Sequence, residues 1–496
     1  MEIPILSLIV LIPFLFSVLT LLTKNKEQAR AVALLSSVVV LTLTVYMYLN
    51  FDSNTAQMQF QEFAQWVPSL GINYQLGIDG ISMPLVLLNA IVIPFLILFT
   101  WNDEKNHSNR FYALLLATQG AVIGVFVSLD FFLFYVFWEL TLVPLFFMVS
   151  IWGGPAKHKA AIKFFIYTHV GSLVMLLGIF ALYFTAWKQT GTPNMNIEHL
   201  LSQFQFISDG LSRNLIFLAL LFGFLVKIPS FPFHSWLPDA YVEAPTAGSV
   251  LFVLLKIGGY GLFRVSLPLL PFTPSMDLMV TVMAALGSVS ILYGAFLALA
   301  QRDLKRMVAY SSISHMGYVT LGAAGLVSLS VSGAMFQQFS HGLIMSIMFM
   351  SCGVINRATG TRIINDLGGL AGKMPKLAVI MMLAFMASLG LPGLTGFIAE
   401  FMVLTFTYIN QPTYVIIAIL AVIITAAYHL WAMQRTMFGV YNQKFGVLKD
   451  ISASQTFSMA IIALLILYFG LNPSPVLNMM ITNSEKLVSL LAVTGV

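Results

Sequence analysis

Cys352 is the single cysteine in the 496 residues. One thiol excludes an internal disulfide, a thiolate-ligated iron–sulfur cluster and a zinc knuckle. Charge is almost as scarce, since Asp, Glu, Lys and Arg make up 9% of the residues against roughly a quarter in a soluble domain. No GxGxxG follows a strand-like run and no GxxxxGK(S/T) occurs. The longest polar connections, near 51–80 and 187–212, are too short to fold as a nucleotide-binding domain. Redox and nucleotide chemistry are therefore expected on other chains.

What is abundant is apolar. Hydrophobic residues make up 59% of the chain and the mean hydropathy is +0.90, which places it among polytopic membrane proteins. The apolar runs are close to the roughly 20 residues that a helix needs to span a hydrocarbon core. Short polar segments separate them, a pattern of helices and not of barrel strands. The expected fold class is an all-α transmembrane bundle of about fourteen spans, near 3–23, 31–50, 81–101, 111–129, 131–151, 161–186, 213–232, 247–267, 277–300, 304–325, 330–356, 377–407, 413–437 and 454–474. The fourth and fifth abut at Asp130, which leaves thirteen open.

The basic residues fit this count. With the N-terminus outside, 18 of the 24 Lys and Arg fall in cytoplasmic connections: Lys24 to Arg30, Lys105 to Arg110, Lys157 to Lys163, Arg302 to Arg306, Arg357 to Lys376 and Arg435 to Lys449. Only Lys188, Arg213 and Lys486 fall outside, while Lys227, Lys256 and Arg264 lie within spans. The formal charge of +5 is thus an orientation signal and not a nucleic-acid footprint. The first span begins at Glu2 without a basic leader and is expected to be a retained helix.

Proline and glycine interrupt two spans, exposing backbone groups that protein or water must satisfy. The seventh runs Lys227-Ile228-Pro229-Ser230-Phe231-Pro232-Phe233-His234; the twelfth runs Leu389-Gly390-Leu391-Pro392-Gly393 ahead of Glu400. Five spans separate these breaks, and an odd shift reverses orientation. A five-helix unit repeated upside down is therefore expected, 111–267 and then 277–437, preceded by three helices in 1–110 and followed by one helix and a tail in 438–496.

Four of the ionisable side chains in the spans are singled out, since even lenient insertion scales charge roughly 2.5 kcal/mol or more for such a residue. Glu139 lies between Trp138 and Leu140, Lys227 beside the first break, Lys256 ahead of Gly258 and Gly259, and Glu400 beyond the second break. Each has a structural alternative: helix capping for Glu139, snorkelling for Lys227, packing for Lys256 and Glu400. His315 and His341 stand among Ser, Gln and Gly residues that suit a hydrated relay; His169 and His234 are weaker candidates for the same task. Desolvation disfavours a buried ammonium and a nearby carboxylate restores it. A changing distance between Glu139 and Lys227 would switch whether the lysine keeps its proton, and coupled sites of this kind can pass protons stepwise.

Several long motifs resemble the antiporter-like, proton-translocating subunits of respiratory complex I, closest to the M (chain 4) branch. They are Leu76-Gly77-Ile78-Asp79-Gly80-Ile81-Ser82, Phe137-Trp138-Glu139, Lys163 through Thr168, Phe231 through Ala240, Ala244 through Val250, and Asp303-Leu304-Lys305-Arg306 through Gly317. The resemblance covers essentially the whole chain. It implies that Glu139 is the fifth-helix glutamate, Lys227 the lysine paired with it, Lys256 the central lysine and Glu400 the carboxylate from which the proton leaves. His234, His315 and His341 match histidines of the hydrated axis, whereas Tyr241 stands where a histidine often occurs. Other branches carry lysine at the twelfth-span position that Glu400 fills here.

By this resemblance the chain is expected to couple quinone reduction on other subunits to proton export, binding no cofactor itself. NADH, FMN, iron–sulfur clusters and quinone are expected on partner chains, alongside L-like and N-like membrane subunits. A bacterial plasma membrane is expected in preference to a thylakoid. The alternatives are a subunit of a multi-chain sodium/proton antiporter or of a related hydrogenase or carbon-uptake assembly. From another class, His315 and His341 could be axial ligands of a haem.

Overall fold

The computed structural model describes residues 4–101 and 108–493. Glu2 and Lys105, both used above, lie outside the described residues. The fold is the expected polytopic helical bundle. Among the described residues ten helices are long and apolar enough to cross a membrane, and shorter apolar helices occupy Ile5–Leu21, Met83–Phe99, Pro375–Ser388 and Thr395–Thr407. Helices satisfy their own backbone hydrogen bonds, as a lipid environment demands. The fourth and fifth spans are separate, Asn109–Val127 and Phe131–Trp152. Between them Asp130 caps the second, accepting from the amides of Phe132 and Leu133.

Two helices form the buried axis. Leu304–Ala324 and Ser328–Thr359 are enclosed along most of their length, which lets their many hydroxyls, amides and histidines avoid lipid. The peripheral helix Lys157–Thr190 instead exposes Ile162, Ile166, Leu173 and Leu177.

The expected breaks are present, and a third joins them. The seventh span ends its first helix at Lys227 and resumes as Trp236–Glu243. The twelfth is split into Pro375–Ser388 and Thr395–Thr407, with Gly390 and Gly393 both left-handed at φ 83° and 90°, a conformation that favours glycine. The eighth span is broken as well: Thr246–Leu254 is followed by non-helical Leu255 and Lys256, then by Ile257–Gly261 and a π-helical turn over Leu262–Ser266. Glycine after this break is a matter of space. A Cβ on Gly258 would come 2.8 Å from the Ile228 nitrogen, and one on Gly259 would come 2.2 Å from Gln338 Oε1.

Three expectations are corrected. The connection 51–80 was read as polar loop, but Gln59–Val67 and Ile72–Ile78 form an antiparallel hairpin on the outer face. Its Glu62 accepts from the Leu6 and Ser7 amides at the start of the first helix, where carboxylates are favoured. The segment read as a tail after the last span contains the helix Ser474–Val493, packed against Ser328–Thr359 through Ser484, which meets Ser328 and Ser332. Lys305, counted among cytoplasmic loop charges, is buried and donates to the carbonyls of Val242 (3.1 Å) and Ala244 (2.6 Å), capping the end of Trp236–Glu243.

Candidate functional site

The buried ionisable groups lie at the helix breaks and on the two axial helices. Where the seventh span stops, the Lys227 ammonium is buried with no hydrogen-bond partner among the described residues. It lies over the rings of Phe164 (5.5 Å) and Trp138 (5.8 Å), so aromatic faces supply its counter-field. A small cavity of about 20 Å³ separates it from Lys256 and is lined also by Trp236, Tyr241, Met316 and Gln338. That volume is enough for a water molecule.

Lys256 stands at the break in the eighth span. Its Nζ is 2.7 Å from His341 Nδ1, which reaches it from Ser328–Thr359. The His341 ring meets the His315 ring edge-on at 5.8 Å between centroids. His315, on Leu304–Ala324, is held on both sides: Nδ1 is 2.9 Å from Glu400 Oε1 and Nε2 is 3.0 Å from Ser388 Oγ. A second cavity, about 10 Å³, is lined by His315, Gln337, Ser340, His341, Ser388 and Glu400. Both halves of the broken twelfth span thus serve the site, Ser388 closing its first helix and Glu400 riding on its second.

Five of the residues singled out in the sequence, Lys227, Lys256, His341, His315 and Glu400, therefore follow one another across the interior. Glu139 does not touch Lys227. Its carboxylate pairs instead with His169 (Oε2 to Nδ1, 3.0 Å), and both side chains keep part of their surface, 25% and 37% exposed. The expected pairing of Glu139 with Lys227 is thus not a direct contact in this structure: the Trp138 ring lies beside the lysine, and the glutamate bonds to His169 on Lys157–Thr190. His234 is buried against Phe231 and Tyr293, and its Nδ1 finds no partner among the described residues, so it is not hydrogen-bonded to the others.

Ser388 was missed, as was the strength of His169. His169 directly follows the Lys163 to Thr168 motif, a signal that was available; Ser388 is one of many serines and carried none. Asp239 binds both Lys163 (2.8 Å) and Arg306 (3.2 Å), tying three of the motifs together. Among the described residues, no group of three or more His, Cys, Asp or Glu is placed to hold a metal ion.

Residues 128–425 match the transmembrane family described as NADH:quinone oxidoreductase/Mrp antiporter. The chain belongs to that family. It is 68% identical to F420H2 dehydrogenase subunit M of Methanosarcina mazei, over 99% of this chain and 100% of that one. To NADH-quinone oxidoreductase subunit M of Rickettsia conorii it is 38% identical, over 98% and 99%. Among solved structures, a chain of respiratory complex I from Thermus thermophilus with bound NADH superposes with a TM-score of 0.89 at 30% identity, covering 98% of this chain and 99% of that one. A chain of the Mrp complex from Dietzia sp. shares the fold, with a TM-score of 0.84 at 19% identity over the full length of both. As a member of this family the chain is an antiporter-like membrane subunit of the complex I type.

Proposed function

We propose that this chain is the M-type membrane subunit of a large oxidoreductase and carries protons through Lys227, Lys256, His341, His315 and Glu400 while partner chains perform the electron transfer. The observation that carries this reading is the run of direct contacts Lys256–His341 and His315–Glu400, with the two imidazoles edge to edge between them. Amine, imidazole and carboxylate each take up and release a proton, and proximity in a low-dielectric interior couples their titrations. Glu139 acts as the switch by biasing Lys227 electrostatically past Trp138, and His169 holds it away when the two are paired.

Full-length identity of 68% to an F420H2 dehydrogenase subunit supports F420H2 as the electron donor of the assembly in preference to NADH. Flavin, iron–sulfur clusters and the quinone-type acceptor reside on partner subunits, a reading that rests on the single cysteine of this chain. L-like and N-like membrane subunits are its neighbours, in a plasma membrane. The chain is also read as two inverted five-helix units, 111–267 and 277–437, because the breaks at Lys227 and at Gly390 recur at that spacing.

The test is the assembly purified from native membranes in mild detergent and sealed into vesicles. Co-purifying flavin and iron–sulfur chains, with F420H2-driven proton movement independent of sodium, are expected. A set of membrane chains alone, with sodium-dependent exchange, would assign the chain to a sodium/proton antiporter.

A further inference from the structure

On the outer side of the broken eighth span lies a buried ion pair that the relay does not use. Arg264 donates to both oxygens of Asp79, at 2.8 and 2.5 Å, and its Nε donates to the Tyr260 hydroxyl at 3.2 Å. The two side chains are 8% and 1% exposed. Asp79 Oδ1 accepts further from the amides of Ile81 and Ser82, while Oδ2 accepts from Arg264. The pair joins the loop after the outer hairpin to the helix that carries Lys256.

Its placement is specific. Lys256 at the non-helical break, Tyr260 in Ile257–Gly261 and Arg264 in the π-helical turn are four residues apart in succession, so the pair lies further along the same span than Lys256. The π-helical turn Leu262–Ser266 is centred on Arg264 and re-aims it, and such turns gather at functional positions. Beyond the pair opens a cavity of about 370 Å³, lined by apolar side chains such as Phe263 and Phe272 together with Asp79, Arg264, Glu198 and Lys486. The C-terminal helix Ser474–Val493 closes over the Asp79 loop so tightly that a Cβ on Gly80 would come 2.0 Å from the Met479 carbonyl oxygen.

We propose that the Asp79–Arg264 pair is a proton seal: it closes the short route between the outer cavity and Lys256, so that protons cannot bypass the Glu400 end of the relay. Guanidinium never gives up its proton in a protein. Protonating the Asp79 carboxylate means breaking its bidentate bond to Arg264, so the pair opposes the passage of a proton. The neutral pair also avoids the cost of one isolated buried charge, which removing either partner would leave. The seal rests on the relay reading only in naming Lys256 as the group protected.

The experiment uses the whole assembly in sealed vesicles with no electron donor, so its outcome does not depend on pumping. A pH gradient is imposed and its passive decay followed for wild type, Arg264→Met and Asp79→Asn. Decay several-fold faster in both variants, with donor oxidation retained but no longer stimulated by an uncoupler, is expected; Arg264→Lys, which keeps the charge, should leak less than Arg264→Met. Wild-type decay rates in assembled variants would overturn the seal. Should the variants fail to assemble, hydroxyl-radical labelling of the wild-type assembly decides: Phe272 and Leu201 at the cavity should label while Tyr260 behind the pair stays unlabelled, and labelling of Tyr260 would overturn the proposal.

Discussion

Lys256 Nζ and His341 Nδ1 lie 2.7 Å apart, a direct contact between the broken eighth span and the axial helix Ser328–Thr359. At that distance one proton bridges two nitrogens. When it belongs to lysine the imidazole accepts, and when it moves to His341 the amine is left neutral beside the 20 Å³ cavity that faces Lys227. Transfer needs no rearrangement of the backbone, only a gain or loss of charge nearby.

Glu139 provides that charge in this account. Glu139→Gln keeps the size and the hydrogen-bonding shape but removes the field that reaches Lys227. Donor-driven proton movement is expected to fall by about tenfold or more, since a charge change worth 1.4 kcal/mol already alters an equilibrium tenfold. Quinone-site chemistry measured with an artificial acceptor should stay intact. Unchanged proton-to-electron stoichiometry would remove Glu139 from the mechanism.

Ser388 orients His315 by hydrogen bonding to Nε2 while Glu400 binds Nδ1. Ser388→Ala loses one neutral hydrogen bond of about 1 kcal/mol, and pumping is expected to slow roughly fivefold, not to stop. Initial rates of vesicle acidification test this. An effect as large as that of Glu400→Gln would mean that serine itself carries the proton.

Lys305 is a structural prediction. Lys305→Met strips its donor from the Ala244 carbonyl, while the Val242 carbonyl keeps its bond from Arg362 Nη1 at 3.0 Å, and loosens the end of Trp236–Glu243. Leaving the buried Ala244 acceptor unmet costs about 1–3 kcal/mol. A lower melting temperature in detergent and a lower yield of assembled complex are expected, with normal turnover per assembled particle.

Asp209 gives a pH dependence that can be tested outside the membrane region. At the start of Gly210–Lys227 its carboxylate accepts from the Leu211 and Ser212 amides and the Ser212 hydroxyl. The Ser212 hydroxyl first, then the amides, hold it below the usual carboxylate value. A folded-state value below the unfolded one means that the ionised carboxylate stabilises the fold at neutral pH. That contribution is lost as pH falls through the lowered folded value. Thermal melts of wild type and Asp209→Asn should differ at pH 7 and converge in strong acid.

Much of the site was legible in the sequence because an ionisable residue in an apolar run is conspicuous. Lys227, Lys256 and Glu400 were found in this way, and His315 and His341 by their polar neighbours. Partner choice was not legible, because it is decided by packing between distant helices. Glu139 reaches His169 on another span, and His315 reaches Ser388, which looks like any other serine. Lys305 read as a loop charge because it stands two residues after the cap Asp303; only the approach of Trp236–Glu243 buries it. The outer hairpin escaped notice since Gln59 to Val67 alternates polar with apolar residues in too short a run to register against twenty-residue spans. The helix Ser474–Val493 was hidden by Pro473, Pro475 and its Asn residues, although proline is well accommodated at a helix start.

The most direct test of the relay is Lys256→Met in the intact assembly, with electron transfer and vesicle acidification recorded together. Methionine fills similar volume and leaves His341 in place, so the chain should still assemble. Loss of donor-driven acidification by about a hundredfold, the scale on which a positioned proton-transfer group contributes, is expected, with the purified complex retaining its full subunit set. Acidification at the wild-type rate per electron would show that protons do not pass through Lys256 and would contradict the account.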